Sequence, residues 1–331
     1  MNRPGGISRL LALAAGAASL CGQPMIAAAG TDGAPPITTS FQAFWSAAQG
    51  KPFEQQEALW ERYIEGPRAP LYRSVVWEVR DNPQWQANRE QMLKLRFAQY
   101  PRVASLIPAE TGQIEAQLRA QSIRLRELFP GASAVPRAVI VLAPDFDSKS
   151  GVLPDGTPVL ALAADTLALE KADLGILLPH ELFHLYDAEH AGVKNDGVMP
   201  DTLLTLPLFE EGLATYVSSQ ASPGHSDGEY LFQSDLGNLT QALSAAARDF
   251  LLVANTFTID PKSHAISPVF AQWFEGGRTA LNAGYPNRAG YWLGLNLIRR
   301  LRRTYSLQQL ASWPPAEAQR QTRAALVAMA H

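Results

Sequence analysis

His180 and His184 flank Glu181, Leu182 and Phe183. At positions i and i+4 of a helix two imidazoles share one face, close enough to hold a single metal ion, and the intervening Glu lies beside the first. Zinc used for hydrolysis takes three protein ligands and keeps a position for water, whose pKa the ion lowers toward neutrality. In that chemistry Glu181 is the general base. The bare spacing also arises by accident on amphipathic helices, so a third ligand must come from elsewhere in the chain. The run Leu208-Phe209-Glu210-Glu211-Gly212-Leu213-Ala214-Thr215-Tyr216 offers Glu210 or Glu211 on a second amphipathic helix. Farther on, Tyr291, Gly294, Leu295, Ile298 and Leu301 fall on one helical stripe, with a glycine that permits close approach of a neighbouring backbone. Taken alone, Tyr291 reads as a core aromatic.

Glu211-Gly212-Leu213-Ala214-Thr215-Tyr216 resembles the segment that carries the third zinc ligand in gluzincins of the aminopeptidase N type. That resemblance implies Glu211, rather than Glu210, as third ligand. Tyr291-Trp292-Leu293-Gly294 is similar to the Tyr-x-x-Gly motif of the same group, which implies that the Tyr291 hydroxyl stabilises the tetrahedral intermediate. The resemblance covers about residues 138–302 and implies one Zn2+ per chain and a peptide or protein substrate. An edge strand that binds substrate precedes the zinc helix in gluzincins, and Val159 to Asp165 occupies that place in the order of elements. It lacks the Gly-Ala-Met-Glu-Asn signature of the aminopeptidases, which favours endopeptidase or narrow-specificity activity over general aminopeptidase activity.

A second geometry competes. His190 completes His-Glu-x-x-His-x-x-Asp-x-x-His and is similar to the metzincin pattern, with Met199 where a Met-turn follows. Metzincins carry Gly where this chain has Asp187, because the helix must end there in a left-handed turn. If the helix continues instead, His190 lies about 600° beyond His184 at roughly 100° per residue and points away from the metal face. Asp187 is also a candidate to hold a ligand imidazole, Thr215 to bond back to its own helix, and His225 and His264 read as loop histidines.

Pro179 marks a start or kink of the ligand helix. Before it, Ala138–Leu142 and Pro158–Leu162 are short apolar runs flanked by turn residues, including Pro154-Asp155-Gly156, and read as strands. From Phe41 to Phe129 the pattern is helical, with runs near Glu54 to Tyr63 and Glu110 to Leu128, and helix returns from about Ala172 to the C-terminus.

The first 29 residues read as a secretory signal: Arg3 and Arg9, an apolar stretch from Leu10 to Leu20, and Ala27-Ala28-Ala29 as cleavage site. That stretch is well short of the roughly 20 residues that span a bilayer. Lipidation at Cys21, the single cysteine, is the alternative anchor, although Ala18-Ser19-Leu20 is a poor context for it. Cleavage removes two Arg and no acid from a chain of 28 basic and 31 acidic residues, and this acidic balance argues against nucleic acid as partner.

The resulting expectation is an α+β, predominantly helical protein. It comprises a signal peptide (1–29), a flexible leader (30–40), a helical N-terminal region (41–135) and a gluzincin-like catalytic region with a small sheet (136–331). Its mature form has no transmembrane helix and is periplasmic or secreted. The expected activity is that of a zinc metallopeptidase, with His180, His184 and Glu211 on the metal, Glu181 as base and Tyr291 at the oxyanion. Its rivals are a metzincin-like enzyme using His190 and a non-catalytic, zinc-containing peptide-binding protein.

Overall fold

The computed structural model describes residues 33–79, 84–130, 137–190, 202–234, 236, 239, 243–260, 266–275, 285–286 and 288–331, the side chains of 188–190 excepted. The expected signal at 1–29, Cys21, Met199 and His264 lie outside the described residues. The chain is mostly helical with one three-stranded sheet and divides into two compact units. Over the described residues one unit takes 33–120 and 137–174, the other 121–130 and 175–331. The sheet thus belongs with the N-terminal helices, a division unlike the expected boundary at 135/136.

In the first unit α1 (Ile37–Ala48) and α2 (Phe53–Trp60) lead through short π and 3-10 turns and α3 (Ala69–Leu71) to α4 (Trp85–Val103) and α5 (Ile107–Leu128). The expected leader is too long at its C-terminal end. Ile37, Ser40, Phe41 and Phe44 already make the i, i+3, i+4, i+7 stripe of a buried helix face, and Arg68 donates to Ser40 Oγ at 3.3 Å and to the Pro35 carbonyl. Phe41, Phe44, Trp60, Phe97 and Tyr100 form a continuous aromatic cluster, with ring centroids such as Phe44–Trp60 at 5.3 Å and Phe41–Tyr100 at 5.2 Å.

The sheet follows as β1 (Ala138–Val141), β2 (Ser148–Val152) and β3 (Pro158–Ala163), and α6 (Ala164–Glu170) begins directly after β3. β3 lies between β1, to which it is parallel, and β2, to which it is antiparallel through the 154–156 turn. Val159 to Ala163 is therefore the central strand, with both edges hydrogen-bonded, and is not the edge strand expected to bind substrate. Its near-continuous burial fits that position. Ala164 and Asp165 open α6. The Asp165 carboxylate accepts bonds from the Tyr100 hydroxyl at 3.0 Å and the Ala143 amide at 2.9 Å and pairs with Arg96 at 3.4 Å, tying α4 to the sheet.

The second unit contains the end of α5 and α7 (Leu174–His190), α8 (Thr205–Ala221), α9 (Asp227–Tyr230), α10 (Leu243–Val253), α11 (Pro268–Phe274), α12 (Ala289–Leu301), α13 (Leu307–Ala311) and α14 (Pro315–Ala330). α8 packs most extensively on α12, and α14 closes over α8, α10 and α12. Both α8 and α12 are buried on nearly every side, beyond the single stripe expected for α12. No described helix is long and apolar enough to cross a membrane.

Phe44 has no exposed surface and touches four other rings of the aromatic cluster besides Trp45. Phe44→Ala should cost about 3–5 kcal/mol in denaturant unfolding; a loss below about 1 kcal/mol would show that this cluster is not the core of its unit.

Candidate metal centre

Helix α7 carries His180 and His184 one turn apart, and it starts at Leu174, five residues before Pro179. Pro179 is thus interior and neither begins the ligand helix nor leaves its backbone unsatisfied. Pro179 has no N–H to give the Gly175 carbonyl four residues back, and the Ser222 hydroxyl at the end of α8 donates to that carbonyl at 2.5 Å. Ser218 Oγ donates to the next carbonyl, Ile176, at 2.6 Å. Two hydroxyls therefore tie the C-terminal turn of α8 to the first turn of α7. On α7 itself Phe183 is buried, with its ring 5.5 Å from Phe129.

This arrangement brings Glu211, on α8, to the two imidazoles. His180 Nε2 lies 3.1 Å from Glu211 Oε2, His184 Nε2 lies 3.6 Å from Glu211 Oε1, and the two Nε2 atoms are 3.1 Å apart. Ligand bonds of about 2.0–2.1 Å place neighbouring donors of a tetrahedral zinc site about 3.3 Å from one another. The three observed separations bracket that value. Two imidazoles and a carboxylate, buried or nearly so, form a group that could hold a metal ion. Thr215 spends its hydroxyl on the Glu211 carbonyl at 2.8 Å, as expected of a helix interior threonine.

Glycines in the two motifs set the distance between α8 and α12. A Cβ on Gly212 would come within 2.4 Å of the Gly294 carbonyl carbon, and one on Gly294 within 2.4 Å of the Leu208 carbonyl oxygen. Only two facing glycines allow the helices to cross this closely. The approach places Tyr291, fully buried one turn before Gly294, against the site. Its ring stacks on His180 with centroids 6.1 Å apart and 23° between planes, and its hydroxyl lies within the field of the Glu211 carboxylate.

The electrostatics follow from burying a carboxylate between two imidazoles. Burial alone would raise Glu211, but the charge on His184 and hydrogen bonds from both histidines outweigh it and hold the carboxyl well below the usual range. For His184 burial acts downward, yet the Glu211 carboxylate beside it carries its pKa up to about 9. Tyr291 is pushed well above the ordinary phenol value by burial and by Glu211. Glu181, itself nearly buried, adds its negative field at both His184 and Tyr291.

Glu210 is not one of the three residues of the metal group and is half-buried; burial and the nearby Asp187 raise it to about 8. α7 stays helical through Asp187 to His190, and Asp187 is not among the residues of positive φ, so the left-handed turn that a His190 ligand requires does not form there. His180 Nδ1 is buried without a hydrogen-bond partner among the described residues. His225 pairs with Glu229 at 3.7 Å, far along the chain from this chemistry. Ser218 and Ser222, which tie α8 to α7, and Arg288, whose guanidinium lies over the Tyr291 ring, carry no motif. Comparison with protein families, curated proteins and solved structures finds no match for this chain.

Gly294→Ala should force α12 off α8 and cost about 1–3 kcal/mol or more, read by chemical unfolding; a fully stable variant would mean that the glycine contact does not set the helix spacing. The pH response of the metal-free protein follows from the ion pair. His184 is raised in the folded state, so its contribution is complete below the ordinary imidazole value of 6.5 and is lost as pH rises toward 9. Glu211 is depressed, so its contribution is present above 4.5 and is lost in acid. The thermal midpoint after chelation should accordingly fall between pH 6.5 and 9, and a midpoint that climbs over that interval would contradict the pairing.

Proposed function

We propose that this chain is an exported zinc-dependent peptidase of gluzincin type. The observation that carries the reading is the convergence of three separate segments, at 180–184, 211–212 and 291–294, on one buried His-His-Glu group with a tyrosine hydroxyl beside it. A structural metal site needs neither Glu181 nor Tyr291. Two nitrogen donors and one carboxylate oxygen suit zinc and leave a fourth position for water or substrate.

Zinc bound by His180, His184 and Glu211 would supply Lewis acidity toward the scissile carbonyl and the attacking water. Glu181, on the next residue of α7, takes the proton of that water and passes it to the leaving amine. The Tyr291 hydroxyl stays protonated across the working pH range, as its raised pKa requires, and donates to the developing oxyanion. Peptides fit as substrates because both their carbonyl and their leaving nitrogen have a partner in this set. With β3 central in its sheet, substrate backbone has to be held by other parts of the chain, and the missing aminopeptidase signature leaves a free amino terminus without a motif to receive it.

Glu181→Gln should lower kcat on a peptide library by about a hundredfold or more while zinc stays near one per chain, and Tyr291→Phe should lower kcat with KM held. Stoichiometric zinc with no cleavage by the wild-type protein would instead identify a peptide-binding protein.

A further inference from the structure

Arg288 breaks three local rules at once. It adopts φ +61°, a left-handed conformation that L residues other than Asn and Asp rarely take, directly before α12. It stands at the N-cap, where Ser, Thr, Asp or Asn would cap the helix, and it makes no side-chain cap bond. It also brings a cation to the positive end of the helix dipole. Glycine, asparagine or aspartate would relieve one or more of these costs.

The side chain accounts for the exception. The Arg288 guanidinium carbon lies 4.2 Å from the centre of the Tyr291 ring and 5.9 Å from that of Phe232, a second non-glycine residue of positive φ, at +51°. The Arg288 carbonyl also accepts the Tyr291 amide at 3.0 Å, so backbone and side chain of one residue both bear on the tyrosine. We propose that Arg288 is a positioning residue for Tyr291: held by its left-handed backbone, the guanidinium fixes the ring beside His180 and strengthens the hydroxyl as a donor toward negative charge developing on the substrate. This role rests on the peptidase reading above. Strained residues that persist at a fixed place point to function because an unstrained alternative was open to the chain.

Arg288→Gly in the full chain tests it, since glycine takes φ +61° without strain and should keep the helix start intact. The expected result is a thermal midpoint equal to or above that of the wild type, with kcat lowered about 3- to 30-fold at KM held within about twofold. Arg288→Lys should restore part of kcat. In a Tyr291→Phe background the same glycine substitution should change kcat by less than about twofold, because the hydroxyl that Arg288 serves to place is gone. Unchanged kcat in Arg288→Gly, an equal loss in the Tyr291→Phe background, or a fall in stability that accounts for the lost activity would each overturn the assignment while leaving the peptidase reading standing. A wild-type protein that cleaves nothing would overturn both.

Discussion

Glu211 is an ionised carboxylate with 1% of its surface exposed, on a helix buried on nearly every side. An uncompensated charge in such a place costs several kcal/mol, so the surrounding helices must deliver positive charge and hydrogen bonds to two oxygen atoms. His180 and His184 do so from α7, with Tyr291 of α12 stacked on His180 beside them. The same three groups are those that a metal ion and a reacting carbonyl would require. Here the solution to a folding problem and the assembly of a candidate reaction centre coincide.

Three contacts fix how these groups are delivered. The Gly212–Gly294 contact sets how near α12 can come, and the Ser218 and Ser222 hydroxyls fix α8 on the opening turn of α7. Pro179 is central to the second arrangement, because it brings no amide to the Gly175 carbonyl that Ser222 reaches. A residue that reads in isolation as a helix breaker thus becomes a joint between two helices. The first unit shows comparable logic in apolar form, with its aromatic cluster packed against helices and Asp165 linking α4 to the sheet.

The candidate site was legible because its residues repeat at helical spacing and because the glycines that allow close approach stand inside the motifs themselves. Glu211 was separable from Glu210 only by resemblance, since two adjacent acids on one helix give no geometric reason for a choice; in the fold it is Glu211 whose carboxylate meets the imidazoles. β2 was illegible because Ser148-Lys149-Ser150-Gly151-Val152 has neither apolar alternation nor strong β-formers, and edge pairing with β3 decides its conformation. Thr38 and Thr39 hid the first turn of α1, whose apolar stripe begins at Ile37. Arg288 left no trace in the sequence, because its peculiarity is a backbone angle.

The most direct measurement is a crystal structure of the zinc-soaked protein with anomalous data collected at the zinc edge. The account predicts one zinc peak per chain, bound by Nε2 of His180, Nε2 of His184 and a carboxylate oxygen of Glu211 at about 2.0–2.2 Å, with the remaining position open to solvent. A peak bound by His190 in place of Glu211, or no peak between α7 and α8 at saturating zinc, would contradict it.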